Sequence, residues 1–108
     1  MNKLRFNIFK KAAISRCFEQ NLFNYVKEKK INFPVYLSAG QEYVAASIAE
    51  FCSFKKFKPQ LFGQHRGHSI YLTFGGDVSL LIKEMLGLKD GCTYGMGGSL
   101  SIHSKKIN

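Results

Sequence analysis

Two glycine-flanked segments in the second half of the chain carry residue types that bind anions. Residues 62–69 read Phe-Gly-Gln-His-Arg-Gly-His-Ser, and residues 95–99 read Gly-Met-Gly-Gly-Ser. Arg66 is one of only three arginines, and a planar guanidinium can bind a diphosphate through two parallel hydrogen bonds. Glycines let backbone N–H groups approach a phosphate closely. Together the two segments predict one half of a phosphate site.

The same segments allow other interpretations. His65 and His68 could offer two imidazoles to a metal, with Cys92 or His103 completing the set, although no known metal-ligand spacing is present. They could equally be surface or core histidines.

The chain has three cysteines, far apart and without a Cys-x-x-Cys pair, which argues against a disulfide framework. Free cysteines fit a reducing compartment, and we expect a cytoplasmic location.

Composition indicates one domain with a modest core, since the chain has 108 residues and is 45% hydrophobic. The formal net charge is +9, with lysines spread along the chain. Such a pattern is typical of a solvated basic surface, and also fits an anionic partner such as a nucleic acid or a phosphate-rich ligand. The basic amino terminus lacks the apolar core of a signal peptide, and no apolar run is long enough for a bilayer. We therefore expect no membrane partner.

Helical periodicity predicts the elements that hold these loops. Three helices are expected, over Ile14 to Val26, Gln41 to Phe51 and Val78 to Leu86. The second helix should be buried, because an apolar face is combined with alanines that permit close packing. The apolar face is formed by Val44, Ile48 and Phe51, and the alanines are Ala45, Ala46 and Ala49.

Local signals predict where these elements begin and end. Ser38 to Gln41 has the Ser-x-x-Gln form of a capping box, which would begin the second helix. Asp77 can cap the third helix, and Gly87 can end it. The short apolar run Gln60 to Phe62 predicts one strand, which would lead into the loop that carries Arg66.

Four segments, in their order along the chain, resemble the alpha subunit of thiamine-diphosphate-dependent 2-oxo acid dehydrogenases of the pyruvate, acetoin and branched-chain type. The segments are Arg16 to Glu19, Tyr36 to Glu42, His65 to His68, and Met85 to Leu100. The resemblance implies an α/β thiamine-diphosphate-binding fold, represented here by its mainly helical amino-terminal part. Residues 1–108 would then be a partial domain that ends before the magnesium-binding segment.

The resemblance also implies roles for three residues. In the family a Tyr-Arg pair contacts the cofactor diphosphate, and those positions are His65 and Arg66 here. Arg66 matches, whereas His65 departs but can still donate a hydrogen bond to phosphate. A family histidine involved with substrate is replaced by Tyr36, which can hydrogen-bond a carboxylate but cannot carry a positive charge. A second family histidine is replaced by Ser101, with His103 two residues further on.

The implied activity is oxidative decarboxylation of a 2-oxo acid with acyl transfer to a lipoyl acceptor, as in a pyruvate dehydrogenase (acetyl-transferring). The implied cofactors are thiamine diphosphate and magnesium, whose ligands are expected beyond this chain. The implied partners are a beta subunit, which carries the activating glutamate, and a lipoyl-bearing acyltransferase. No catalytic residue and no metal ligand is assigned within the chain, and we expect it to be inactive alone.

Two other function classes stay open at this point. Aromatic residues alternate with lysines over Phe54 to Lys58, as on a platform that stacks nucleic-acid bases, although no nucleic-acid-binding fold accompanies them. A helical interaction module, which pairs with another subunit through its apolar helix faces, is the second alternative. That reading explains the helices but not the glycine-rich loops.

Overall fold

A computed structural model describes residues 2–104, which form four α-helices and their connecting loops. The helices are α1 (Lys3–Lys27), α2 (Glu42–Phe54), α3 (His68–Thr73) and α4 (Val78–Met85). The predicted mainly helical character is confirmed. The predicted strand over Gln60 to Phe62 is wrong, since no residue from 2 to 104 lies in a strand. A single strand has no neighbour for its backbone hydrogen bonds, so this segment runs as irregular chain.

Helix α1 is longer than predicted. It begins at Lys3 because the side chain of Asn2 accepts a hydrogen bond from the backbone N–H of Arg5 at 2.9 Å. Despite this length, no helix within residues 2–104 is both long and apolar enough to cross a membrane.

The predicted start of α2 is wrong in its cap, whereas the predicted ends of α4 are confirmed. Helix α2 begins at Glu42 after Gln41, and the capping-box prediction is wrong because the Ser38 hydroxyl is engaged in a buried hydrogen-bond network. The predicted cap of α4 is confirmed, because the Asp77 side chain accepts a hydrogen bond from the N–H of Leu80 at 3.2 Å. Gly87 follows α4 with φ of 71°, a conformation that favours glycine. Helix α3 was not predicted.

The core lies where α1, α3 and α4 meet. It contains Phe18 and Leu22 of α1, Tyr71 and Leu72 of α3, and Leu81 and Met85 of α4. The loop residue Ile31 closes one side of this cluster. The predicted apolar stripe of α1 is therefore only partly buried, since Ile14 at one end and Tyr25 at the other are exposed.

Helix α2 packs through its alanines and leaves its larger apolar side chains in solvent. The alanines at 45, 46 and 49 are buried, whereas Val44, Ile48 and Phe51 are each more than half exposed. Two carboxylates on the alanine side, Glu42 and Glu50, bind Arg16 and Lys11 of α1. The small side chains allow close approach of the helices, so the opposite face turns away from the core. The expected burial of that opposite face is wrong.

Leu81 and Leu80 provide a test of this packing, because they are neighbours on α4 with opposite environments. Leu81 is 0% exposed and Leu80 is 38% exposed. We expect Leu81→Ala to lower the free energy of unfolding by about 2 to 5 kcal/mol, since the cavity cannot close fully. Leu80→Ala should cost well under half as much. Urea unfolding of both variants measures the difference, and equal losses would contradict the assigned core.

Candidate functional site

The buried carboxylate of Glu19 joins the four segments that carry the family resemblance. Its Oε1 accepts a hydrogen bond from the Ser38 hydroxyl at 2.6 Å and lies 2.9 Å from Nδ1 of His68. The other ring nitrogen of His68, Nε2, lies 3.0 Å from Oγ of Ser99. Each segment thus contributes one buried side chain to a single cluster, which we call the Glu19 cluster. The four residues are Glu19, Ser38, His68 and Ser99.

Two further serines extend the Glu19 cluster in one direction. The hydroxyls of Ser38 and Ser69 lie 2.8 Å apart, as do those of Ser69 and Ser15. A hydroxyl has one proton, and Ser38 uses its proton on Glu19. Ser38 must therefore accept from Ser69, which in turn accepts from Ser15. The hydroxyl protons all point towards Glu19, as expected around a carboxylate.

The surroundings of the Glu19 cluster exclude solvent. His68 is fully buried, and the ring of Phe18 packs edge-on against it with 5.6 Å between the centroids. The second carboxylate oxygen of Glu19, Oε2, is buried without a hydrogen-bond partner among residues 2–104. Buried polar groups of this kind hold one arrangement of the chain, because removing one partner leaves the others unsatisfied.

The glycine-rich loop folds around a second buried carboxylate, that of Glu84 in α4. Oε2 of Glu84 accepts from the backbone N–H groups of Thr93 and Gly95, at 2.7 and 2.8 Å. Oε1 accepts from those of Gly97 and Gly98, at 2.8 and 3.0 Å. The anion that these amides bind in the structure is therefore a side chain of the protein. The four N–H groups are not available to a phosphate.

Glycine is required in this loop by the closeness of the backbone. A Cβ atom at Gly91 would lie 2.6 Å from Oε2 of Glu84 and 2.7 Å from its Cα. A Cβ atom at Gly95 would lie 2.6 Å from the carbonyl oxygen of Gly87, and Gly95 also has φ of 72°. Both contacts are shorter than a real side chain tolerates. The glycines therefore serve the turn around Glu84.

The pKa of Glu84 depends on its burial and on the four hydrogen bonds that it accepts from backbone N–H groups. Burial disfavours the charged form and by itself raises the pKa of Glu84. The four backbone N–H groups favour the charged form, and together they outweigh burial. The pKa of Glu84 is consequently held below its ordinary value, so that the loop is closed around an ionised carboxylate at neutral pH.

The three residues with predicted site roles lie on the surface next to the Glu19 cluster. The rings of Tyr36 and His65 are in contact, with centroids 5.0 Å apart and a tilt of 60°. Arg66 is exposed, and within residues 2–104 its guanidinium forms no hydrogen bond or ion pair. Its backbone has φ of 70°, which is uncommon for a residue with a side chain. Two residues later, His68 anchors the loop in the Glu19 cluster.

A polar cleft of about 230 Å³ lies between residues 61–71 and residues 99–104. Gln64 and Gly67, which flank the pair His65 and Arg66, line it from one side. Ser101 and His103 line the other side. The volume is below the roughly 300 to 1,000 Å³ of a complete small-molecule site, so the cleft fits part of a ligand.

The metal alternative does not match this geometry. Both ring nitrogens of His68 are engaged, one by Glu19 and the other by Ser99. Within the described part of the chain, no three histidine, cysteine, aspartate or glutamate side chains come together as a metal site.

The sequence analysis did not identify Glu19 and Glu84, the two buried carboxylates around which the loops fold. A signal was present for each, because Glu84 interrupts the apolar stripe formed by Leu81 and Met85, and Glu19 follows Phe18 in the stripe of α1. A carboxylate on the buried side of a helix needs donors. Loops rich in glycine and serine are the parts of this chain that supply them.

The buried pair of Glu19 and His68 can be tested by removing the imidazole. We expect His68→Ala to lower the free energy of unfolding by about 3 to 5 kcal/mol, because Glu19 then keeps only the Ser38 hydroxyl as a buried partner and loses the imidazole. His103→Ala is the matched control, since His103 is exposed, and should cost less than about 0.5 kcal/mol. Chemical unfolding at neutral pH gives both values. A loss below about 1 kcal/mol for His68→Ala would contradict the importance of this pair.

The bonds of Glu84 predict a dependence of stability on pH. Because its folded pKa is lowered, Glu84 contributes stability above its unfolded pKa, near 4.3, and loses it as the pH falls through the folded value. Glu84→Gln should destabilise the fold by about 2 kcal/mol at pH 7, because the amide group cannot accept all four bonds. The difference in unfolding free energy between wild type and variant should shrink below about pH 4. The exposed Glu28→Gln is the control, and a difference that stays constant with pH would contradict the assignment.

Comparison with known proteins gives a consistent set of relatives. The chain is 37% identical over 93 residues, 86% of its length, to "Pyruvate dehydrogenase E1 component subunit alpha, mitochondrial" of Chaetomium thermophilum. It is 29% identical over 100 residues, 93% of its length, to the alpha-1 subunit of Oryza sativa. It is also 29% identical over 97 residues, 90% of its length, to the alpha subunit of Saccharomyces cerevisiae.

These matches cover only part of the relatives, from 22% of the length of the Chaetomium and yeast proteins to 25% of the rice protein. The chain thus spans about a quarter of the length of the curated relatives it matches. No family model and no solved structure matches it. The agreement among the relatives confirms the resemblance that the four segments indicate: the chain is related to the alpha subunit of the pyruvate dehydrogenase E1 component.

Proposed function

We propose that the chain is part of a thiamine-diphosphate-binding dehydrogenase domain, and that Arg66 and His65 form the alpha-subunit side of its diphosphate site. The proposal rests on one observation above all. Arg66 is exposed without a partner among residues 2–104, directly beside a loop anchor, His68, that is fixed by buried hydrogen bonds. An arginine that the fold itself leaves unpaired can give its whole donor fork to a ligand.

The residues present fit a diphosphate. The glycine loop gives its amides to Glu84. Among residues 61–71 and 99–104, which surround the cleft, Arg66 is the one permanent cation, and His65 can add one donor. The cleft between Gln64 and His103 begins beside this pair and can take part of the cofactor. When bound, thiamine diphosphate supplies the nucleophilic carbon and the electron sink for decarboxylation of a 2-oxo acid.

Tyr36 is proposed as a substrate contact. Its ring packs against His65, which fixes the position of the phenol next to the proposed diphosphate site. The phenol can donate a hydrogen bond to a 2-oxo acid without adding charge. Family members have a histidine at this position, which can carry a positive charge. A site without that cation should favour an oxo substrate different from theirs, or hold the substrate carboxylate with other groups.

The wider proposal follows from the relatives. The four helices would belong to the mainly helical amino-terminal part of an α/β thiamine-diphosphate-binding fold. The reaction would be oxidative decarboxylation with acyl transfer to a lipoyl acceptor, in association with a beta subunit and a lipoyl-bearing acyltransferase, and with magnesium held by residues outside this chain. The cytoplasmic location stays a prediction, and the relatives are named as mitochondrial proteins.

Nucleic-acid binding is the second candidate, because one observation favours it. Phe54 and Phe57 are largely exposed, and Nζ of Lys55 lies 5.7 Å from the centre of the Phe54 ring. Exposed aromatic rings among lysines can stack nucleic-acid bases.

Substitution of Arg66 separates these two functions. In a full-length alpha subunit that carries this segment, Arg66→Ala should weaken binding of thiamine diphosphate by about 2 to 4 kcal/mol. Arg66→Lys should fall between, because it keeps the charge but loses the fork. Lys55→Ala is the control and should leave cofactor binding unchanged. Calorimetric titration with thiamine diphosphate and magnesium, and separately with single-stranded DNA, measures both functions. Cofactor affinity that is unchanged in Arg66→Ala would refute the site, and DNA binding that depends on Lys55 would support the second candidate.

A further inference from the structure

The chain has three histidines, and they differ in whether the imidazole can serve a ligand. His68 is fully buried, and its two ring nitrogens are engaged by Glu19 and Ser99. His103 is exposed and lines one side of the polar cleft. His65 is exposed in the loop before α3, and within residues 2–104 neither of its ring nitrogens forms a hydrogen bond. His65 and His103 are therefore the histidines whose rings can meet a ligand.

Of these two, His65 is in contact with Tyr36, the proposed substrate contact. The ring centroids lie 5.0 Å apart, and the ring planes are tilted by 60°. The two rings belong to different loops, since Tyr36 precedes α2 and His65 precedes α3. A ligand group that reaches the phenol of Tyr36 is therefore also close to the imidazole of His65.

The two touching side chains differ in the charge that they can carry. A phenol is neutral at neutral pH and donates one hydrogen bond, whereas an imidazole can bind a second proton and then donates from both nitrogens as a cation. A 2-oxo acid has a carboxylate next to its reacting carbonyl. Hydrogen bonds between charged groups are roughly twice as strong as those between neutral groups. Within this pair, His65 is therefore the better partner for the carboxylate.

The resemblance to the alpha subunits bears on the same two positions. In that family a histidine stands at the position of Tyr36, and a tyrosine stands at the position of His65. Each difference taken alone removes one kind of side chain from the site. Because the two rings are in contact, the two differences together are an exchange between neighbours. One imidazole and one phenol are kept at the same place.

We propose that His65 holds the carboxylate of a 2-oxo acid substrate, in place of the histidine that Tyr36 replaces. This inference rests on the proposed function and deepens it, because it assigns the group that meets the charge of the substrate. A protonated imidazole has two N–H groups, so His65 can donate one hydrogen bond to the carboxylate and one to the diphosphate. Arg66 stays with the diphosphate. Other parts of a full-length subunit can cover these rings without changing which of the two can carry the charge.

The test exchanges the two side chains in a full-length alpha subunit that carries this segment, assembled with its beta subunit. In His65→Tyr no imidazole remains in the pair, and we expect the KM for pyruvate to rise about tenfold while kcat is nearly unchanged. The double variant Tyr36→His with His65→Tyr restores one imidazole and should bring KM back to within about threefold of wild type. Unchanged KM in His65→Tyr, or no recovery in the double variant, would overturn the assignment.

Inhibitors distinguish a role in charge from a role in packing. Propanoate has a carboxylate, and propanamide has a neutral amide in its place. We expect His65→Tyr to weaken competitive inhibition by propanoate about tenfold and to leave that by propanamide nearly unchanged. Equal changes for both inhibitors would show that His65 only supports the site by packing, and would contradict the proposal.

Two further variants serve as comparisons. Tyr43→His makes the same change as Tyr36→His at a tyrosine of α2 that is 56% exposed and does not line the cleft, so KM should not change. His103→Gln removes the other imidazole of the cleft and should affect KM for pyruvate less than His65→Tyr does. A larger effect of His103→Gln would transfer the role to His103 and overturn the proposal.

Calorimetric titration with thiamine diphosphate and magnesium separates this inference from the proposed function. Tyrosine also donates a hydrogen bond, so His65→Tyr should change cofactor affinity by less than about threefold. If Arg66→Ala leaves cofactor affinity unchanged, the diphosphate site is refuted, and the role of His65 falls with it. If Arg66→Ala weakens cofactor binding while His65→Tyr leaves KM for pyruvate unchanged, the diphosphate site stands and the role of His65 is refuted.

Discussion

The hydrogen bond between Glu19 and His68 is the interaction on which the arrangement of the chain depends. It joins α1 to the start of α3, and through Ser38 and Ser99 it also fixes the loops before α2 and after α4. Both side chains are buried, so neither could be held at low cost without the other. Apolar contacts make the core compact, but this polar pair selects which loops meet. Arg66 is presented at the surface because its loop ends on His68.

A second carboxylate organises the other half of the chain by the same physical rule. Glu84 stands in the apolar face of α4, and the glycine loop supplies the donors that its burial requires. A loop with this composition has the appearance of a phosphate cradle in the sequence. In the folded chain its amides are satisfied internally, which leaves side chains, chiefly Arg66, to meet any ligand charge.

Predictions from the sequence were confirmed for features that depend on neighbouring residues, and were wrong for features that depend on contacts between residues far apart in the sequence. The periodicity of Val78 to Leu86 and the cap at Asp77 located α4 almost completely, because both signals are local. The strand at Gln60 and the capping box at Ser38 failed, because one needs a neighbouring strand and the other competes with Glu19. The candidate residues Tyr36, His65 and Arg66 could be named from motif order. The pairing of Glu19 with His68 could not, since 49 positions separate them.

Most of the cationic side chains have no acidic partner within residues 2–104, and this excess of cations affects how the fold responds to ionic strength. In a chain with balanced charge, added salt mainly screens attractive pairs. Here the cations without an acidic partner repel one another across a surface with net charge +9, and the Debye length shortens to about 8 Å at physiological salt. Screening therefore relieves more repulsion between lysines than it weakens attraction in the four ion pairs of lysine or arginine with carboxylates. We therefore expect added salt to favour the folded chain, in contrast to a protein whose surface is held together by its ion pairs.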